Sequence, residues 1–127
     1  MTETQSLSQW ERVGGAPAVK AVLDRFYEGV LGEPQLVGFF ENVEVDNLKP
    51  HLAEVLKVVL GGPGAPTDID LAAYLTGAHA GLGVSESDYM LTGKVLLDTL
   101  AEFDVPDDIV ETISGALVTV QPFVVAA

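Results

Sequence analysis

The 127-residue sequence predicts a single all-α domain, and three observations carry that prediction. Apolar residues recur at the helical spacing of i, i+3, i+4 and i+7 in several segments, which indicates amphipathic helices. Glycine and proline lie between these segments, where helices begin and end. No segment alternates apolar and polar residues as a half-buried strand does, and no repeat or low-complexity run is present. The length allows one core and a bound small molecule, but not two ordinary domains.

The first long helix is predicted over residues 17–31. Its apolar positions form one stripe, which consists of Val19, Val22, Leu23, Phe26, Tyr27, Val30 and Leu31. Pro17 fits the first turn, because an N–H at that position has no partner within the helix. A short helix over 6–13 and the glycine pair at 14–15 precede it. We expect residues 1–9 to form largely a flexible N-terminal extension.

A second amphipathic helix is predicted over residues 47–60, after a loop that carries Phe39 and Phe40. Asp46 is a suitable N-cap, since its carboxylate can accept a hydrogen bond from the free N–H groups of the first turn. Pro50 lies in that first turn, where a missing N–H costs least. The run Gly-Gly-Pro that follows ends the helix.

Three further helices are predicted in the C-terminal half of the chain. One lies near 68–79 and ends at a turn that contains two glycines. Ser85, with Asp88 three residues later, resembles a capping box and starts the next helix. The last helix begins at Pro106, and we expect Pro122 to end or kink it.

The charge of the chain excludes several classes of partner. Nineteen acidic residues face six basic ones, which gives a formal net charge of −13. The bases are scattered, whereas a nucleic-acid groove needs clustered Lys and Arg, and no apolar run approaches the roughly 20 residues of a membrane span. Without a signal-peptide pattern, we expect a cytoplasmic protein with no nucleic-acid or membrane partner. Such acidity suits a cytoplasm of high salt, and an ordinary acidic protein is the alternative.

Few residues can carry chemistry. The chain has no cysteine, which excludes disulfides, thiol catalysis and thiolate metal sites. Its two histidines, His51 and His79, lie on different predicted helices, and neither belongs to a His-Glu-x-x-His motif. The segment GGPG lacks the lysine and the preceding strand of a phosphate loop. These residues assign no catalytic group, so enzyme activity stays open at this point.

Segments spread over nearly the whole chain resemble the group I truncated haemoglobins. The matching segments are, in order, WERVGGAPA, FYEGVLGEP, GFF, LKPHLAEVLKVVLGG, HAGLGVSESDY and VPDDIVE. They follow the order and spacing of the family. The resemblance implies a truncated globin, that is, a two-on-two helical sandwich around one haem b.

The resemblance implies that His79 is the proximal ligand of the haem iron. A haem needs an axial imidazole and an apolar slot between helix faces. The Nε2 atom of His79 would bind iron, and a backbone carbonyl would hold the Nδ1–H and fix the tautomer. From the residues alone, a histidine at the end of a helix is also explained by the helix dipole, which favours a cation there.

The resemblance places four residues on the distal side of the haem. Tyr27 matches the distal tyrosine, whose hydroxyl would donate to a bound gas, while the alternative is an ordinary core tyrosine. Leu48 and Leu52 face the same side, and Leu52 stands where many members carry glutamine, so the tyrosine–glutamine pair is absent. His51 lies at the edge of this stripe. It is a candidate sixth ligand of the iron, and the alternatives are an exposed histidine or a partner of a haem propionate.

Five further residues match positions that contact the haem or lie on the helices around it. Phe40 would pack on the haem plane, and Val55 continues the stripe of the distal helix. Lys49 is a candidate partner of a propionate, with a solvated lysine as the alternative. Val84 and Tyr89 would belong to the proximal wall, and without the family they read as plain core.

The implied function is reversible binding of O2, NO or CO. Oxygen storage or transport and nitric oxide detoxification are roles that the family supports, the latter with a reductase as electron donor. A peroxidase would need a distal acid–base group, a role that His51 fills only while it stays off the metal. The alternative from another class is a haem-free, globin-like module with a binding or sensory role. We expect a monomer or a weak homodimer.

Overall fold

The computed structural model describes residues 8–62 and 71–125, and within these ranges it contains helices and no strands. The seven α-helices are α1 (Gln9–Val13), α2 (Gly15–Leu31), α3 (Pro34–Val37), α4 (Val45–Val59), α5 (Leu71–His79), α6 (Glu86–Glu102) and α7 (Asp107–Val124). A 3-10 turn over Gly38–Phe40 follows α3. The predicted all-α class is thereby confirmed. Except for Ser8 and Gln9, the predicted N-terminal extension over 1–9 lies outside the described residues.

The long helices form two stacked pairs. Helix α2 packs against α4, and α6 packs against α7. The pairs meet where α2 contacts α6 and α4 contacts α7, while α5 packs along α7. This is the predicted two-on-two sandwich. Among the described residues, no helix is long and apolar enough to cross a membrane.

The core lies where the inner faces of these helices meet. Helix α2 contributes six buried side chains, which are Val19, Val22, Leu23, Phe26, Tyr27 and Val30. Leu31 belongs to the predicted stripe but is 41 % exposed. At roughly 100° per residue it lies about 80° around the helix from Leu23, and therefore at the edge of the buried face. The stripe itself is confirmed, and its last member is the exception.

The predicted N-cap of the distal helix is wrong. Helix α4 begins at Val45 with Glu44 at the N-cap position, and no side chain caps it. Asp46 lies within the first turn instead, where its carboxylate is favourable beside the helix dipole. Its Oδ1 lies 3.0 Å from the Nζ of Lys49, an ion pair within the first turn.

Pro122 neither ends α7 nor lies outside it, because the helix continues to Val124. The missing N–H removes a single hydrogen bond close to the C-terminal end of the helix. The helical bonding resumes after the proline, where the N–H of Val125 donates to the carbonyl of Gln121 over 2.9 Å. The cost of one proline is thus small enough for the packed helix to absorb.

The turn between α5 and α6 forms as predicted. Gly81 and Gly83 have φ angles of 78° and 70°, a conformation that glycine adopts without steric cost. The Ser85 hydroxyl accepts from the N–H of Asp88, and the Asp88 carboxylate accepts from the N–H of Ser85, both over 3.0 Å. Hydrogen bonds from the Gln35 side chain and from Ser85 hold the pKa of Asp88 below its usual value. This reciprocal cap fixes the start of α6.

Helices α2 and α6 approach closely at Gly29, and we predict that Gly29→Ala destabilises the protein. A Cβ at this position would lie 2.9 Å from Cγ1 of Val95, which forces the packed helices apart. Overpacking of this kind costs about 1–3 kcal/mol, more than the helix propensity that alanine adds. Urea unfolding measures the loss.

Gly115→Ala is the matched control, since a Cβ at Gly115 would meet nothing within 4 Å. We expect this variant to keep its stability or to gain up to about 1 kcal/mol. Equal unfolding midpoints for the two variants would contradict a close contact at Gly29.

Candidate haem site

His79 is the last residue of α5 and is partly buried. Its Nδ1 lies 2.8 Å from the carbonyl oxygen of Leu75, one turn earlier in the helix. A carbonyl only accepts hydrogen bonds, so this contact places the proton of the neutral ring on Nδ1. The Nε2 then carries the lone pair, which is the form of imidazole that binds a metal. The backbone partner expected for this ring is therefore present.

The predicted proximal residues follow His79 in the chain, and one of them contacts α7. The Tyr89 hydroxyl donates to the carbonyl of Leu117, which joins the first turn of α6 to α7. Burial raises the pKa of Tyr89 above its usual value, so the phenol stays protonated at neutral pH. Val84, in the turn after His79, is partly buried. Together with the packing of α5 on α7, the Tyr89 contact links the helices on both sides of the turn after His79 to α7.

Tyr27 and Phe40, both predicted for the distal side, come together in the structure. Tyr27 is only 8 % exposed and belongs to the buried face of α2. Its ring meets Phe40 edge-on at a centroid distance of 6.2 Å and meets Phe26 at 5.0 Å. Aromatic pairs favour this geometry, and it restrains the direction of the phenol. Two residues from separate segments, predicted for one site, are thus neighbours.

Helix α4 presents an apolar wall beside this aromatic group. Leu48 and Leu52 are one turn apart, and both are partly buried against the core cluster that contains Tyr27. Val55 is also partly buried, one turn further along the same helix. His51 is exposed, at the edge of this wall and about 60° around the helix from Leu48. Its role as a sixth ligand of the iron, or as a partner of a propionate, stays a prediction.

Lys49 has carboxylate partners from its own chain. Its Nζ lies 3.0 Å from Oδ1 of Asp24 on α2 and 3.0 Å from Oδ1 of Asp46. These carboxylates, Asp24 first, raise the pKa of Lys49. A haem propionate would have to compete with both. Sequence reasoning missed Asp24, because the only partner that its spacing indicates is Lys20, four residues earlier in the same helix.

The residues at this site fit a haem. His79 offers an imidazole whose Nδ1 is held by a backbone carbonyl, which leaves Nε2 as the atom that could bind a metal, while the group around Tyr27 offers a phenol, a phenylalanine and a leucine wall. Haem sites combine such an axial imidazole with an apolar slot that holds a few polar groups. The donor set thus matches an iron porphyrin.

Comparison with known proteins supports this interpretation. The family model described as bacterial-like globin matches residues 8–124. The Group 1 truncated hemoglobin GlbN of Mycolicibacterium paratuberculosis is 32 % identical over 120 residues, which cover 94 % of this chain and 85 % of that protein. The Group 1 truncated hemoglobin GlbN of Synechocystis is 30 % identical over 110 residues, which cover 84 % of this chain and 86 % of the relative.

Solved structures share the fold. Truncated hemoglobin from Tetrahymena pyriformis, in the Fe(III) form, superimposes with a TM-score of 0.81 at 24 % identity and covers 95 % of this chain and 100 % of its own. The 2/2 hemoglobin of Synechococcus, solved in the cyanomet state with covalently attached heme, gives 0.77 at 24 % identity over 91 % and 94 %. The solved structures show the fold alone, whereas the family model and the relatives identify the family. The chain belongs to the bacterial-like globins and is a group 1 truncated haemoglobin, a family whose usual cofactor is haem b.

Proposed function

We propose that this globin holds haem b through the Nε2 of His79 and binds a diatomic gas, O2, NO or CO, on the side of Tyr27. Membership of the family implies haem-based gas binding in general. When bound, the haem iron supplies the coordination position that the gas occupies. The observation that carries the proposal is the 2.8 Å contact between His79 Nδ1 and the Leu75 carbonyl.

The Leu75 carbonyl has two effects on His79. By holding the Nδ1–H, it fixes the orientation of the ring and leaves Nε2 as the ligand atom. By accepting that hydrogen bond, it also makes the imidazole a more basic ligand. Both atoms belong to α5, so the packing of this helix on α7 determines where the ligand atom lies.

On the distal side, Tyr27 is the residue that donates to the gas. Phe26 and Phe40 restrain its ring, and Leu48 and Leu52 line the neighbouring helix with apolar groups that exclude water. A hydrogen bond gains strength in such a dry environment. Leu52 offers no second donor, so retention of the gas depends on one hydroxyl rather than on a pair.

An absorption spectrum of the purified protein tests the proposal against the haem-free alternative. We expect a Soret band, either in the protein as isolated or after titration with haem. A colourless protein that takes up no haem would overturn the proposal and favour the binding or sensory module. The roles in oxygen storage, oxygen transport or nitric oxide detoxification stay predictions, as do the reductase partner, the cytoplasmic location and the monomeric or weakly dimeric state.

Tyr27→Phe should increase the rate at which O2 leaves the protein. Removal of one donor costs about 0.5–1.5 kcal/mol, which corresponds to a roughly 2- to 13-fold faster off-rate. Stopped-flow displacement of O2 by CO measures this rate. Tyr89→Phe is the matched control, because its hydroxyl bonds the Leu117 carbonyl and not the gas. An off-rate equal to that of the unmodified protein in Tyr27→Phe would rule out donation by Tyr27.

A further inference from the structure

The first turn of α4 packs Val45 and Leu48 against the core, but its hydrogen bonding is incomplete. No side chain caps this helix at Glu44. Pro50 has no N–H, so the carbonyl of Asp46 loses the helical hydrogen bond that residue 50 would otherwise supply. The same turn carries Leu48, which belongs to the wall beside Tyr27. A contact that fixes this turn therefore also fixes the position of Leu48 in the leucine wall.

An ion pair between two helices adds a restraint to this packing. Lys49 Nζ on α4 and Asp24 Oδ1 on α2 are 3.0 Å apart. The Lys49 side chain is 24 % exposed, against 76 % for Lys20, which pairs with the same aspartate from within α2. The pair between the helices is thus better shielded from water and salt than the pair within the helix. In the part of the chain that the structure describes, no other ion pair joins α4 to a neighbouring helix.

Rotation of α4 about its own axis determines which of its residues face the core. Around α4, Leu48 and Leu52 lie on the same side of Lys49 and pack toward the core. His51 is exposed. At roughly 100° per residue, His51 lies about 60° around α4 from Leu48, so a rotation of the helix by about that angle would turn the imidazole toward the side that Leu48 now faces. The link from Lys49 to Asp24 opposes that rotation, because it ties the outer flank of α4 to α2.

We propose that Asp24 and Lys49 form a positioning pair, which holds α4 in the rotation that keeps the leucine wall toward Tyr27 and His51 in solvent. The pair acts through α4 and does not touch the gas. Since both side chains are partly exposed, concentrated salt weakens the pair and loosens the first turn of the helix. That the leucine wall faces a gas-binding site rests on the proposed function. The ion pair between Asp24 and Lys49 does not depend on it.

Amide hydrogen exchange tests the pair in a way that needs no haem. In Lys49→Met, we expect the amides of residues 48–52 to exchange about two- to fivefold faster, the range that partly exposed ion pairs give. Lys20→Met is the matched control, because it removes a partner of Asp24 that lies on α2 itself. In Asp24→Asn with Lys49→Met, the rates should equal those of Lys49→Met alone. Unchanged rates in Lys49→Met, or an equal increase in Lys20→Met, would overturn the pairing.

The ferric absorption spectrum of the haem-loaded protein gives the second readout. We expect Lys49→Met to raise the low-spin, six-coordinate fraction at least twofold over the unmodified protein, and the further change His51→Ala to abolish that increase. An unchanged fraction, or an increase that survives without His51, would overturn the positioning role. Absence of a Soret band in the unmodified protein would instead refute the proposed function, whatever the exchange rates show.

Discussion

His79→Ala should release the haem. Removal of a group that only supports a metal ligand lowers metal affinity about 10- to 100-fold, so the loss of the ligand itself should exceed 100-fold. In the proposed site, the remaining apolar residues would contact the porphyrin plane but would supply no bond to the iron. Transfer of haem to an excess of an acceptor globin, followed in the Soret region, measures the change as a faster rate of loss.

His51→Ala is the matched control, since both variants remove one imidazole from the chain. His51 is exposed, so its removal should leave the rate of haem loss unchanged. Circular dichroism checks that both variants keep their helix content. We expect no change in His79→Ala, because His79 is only partly buried at the end of α5. Haem retention at the level of the unmodified protein in His79→Ala would refute the assignment of the ligand.

The features that the sequence predicted well are local ones. The capping box of Ser85 and Asp88 needs only four consecutive residues, and both of its hydrogen bonds form. The contact from His79 Nδ1 to Leu75 lies within one helical turn. The buried face of α2 follows from a period of 3.6 residues, which fixes the stripe once the helix exists. The resemblance to a family then related these local elements to one another, as Tyr27 and Phe40 show.

The features that were not predicted depend on how the helices pack against each other. The partner of Lys49 could be read only as a propionate or as water, because nothing in the spacing of Asp24 and Lys49 reveals that α2 and α4 bring them together. The pairs Arg12–Asp108 and Arg25–Glu102 are hidden from the sequence for the same reason. The outward direction of His51 is a matter of helix rotation, which a hydrophobic stripe defines only to within tens of degrees.

Helix boundaries show the same division between local and tertiary effects. Asp46 has the chemistry of an N-cap, yet α4 begins one residue before it, because Val45 packs against the core and draws the chain into the helix early. Pro122 has the chemistry of a helix breaker, yet α7 continues through it to the buried Val124. In both places a packed valine accompanies the departure from the preference of a neighbouring residue; a fully buried aliphatic side chain contributes about 1.5–3 kcal/mol, and the partly buried Val45 contributes a fraction of that.

Ile109→Ala should destabilise the protein by about 2–5 kcal/mol, the cost of leaving a cavity in a packed core. Ile109 is 0 % exposed and lies in the first turn of α7, the helix that contacts α4, α5 and α6. A globular domain is stable by only about 5–15 kcal/mol, so this single cavity removes a large part of the total. Chemical denaturation, fitted with a common m-value, measures the loss.

Val118→Ala on the same helix separates burial from helix propensity. Val118 is 71 % exposed, and its truncation should change stability by no more than about 0.5 kcal/mol. Because α7 supports both α5 and the Tyr89 hydroxyl, we also expect Ile109→Ala to release haem faster and Val118→Ala to leave that rate unchanged. Similar unfolding midpoints for the two variants would mean that α7 does not anchor the core, and the support of His79 would then have to come from another helix.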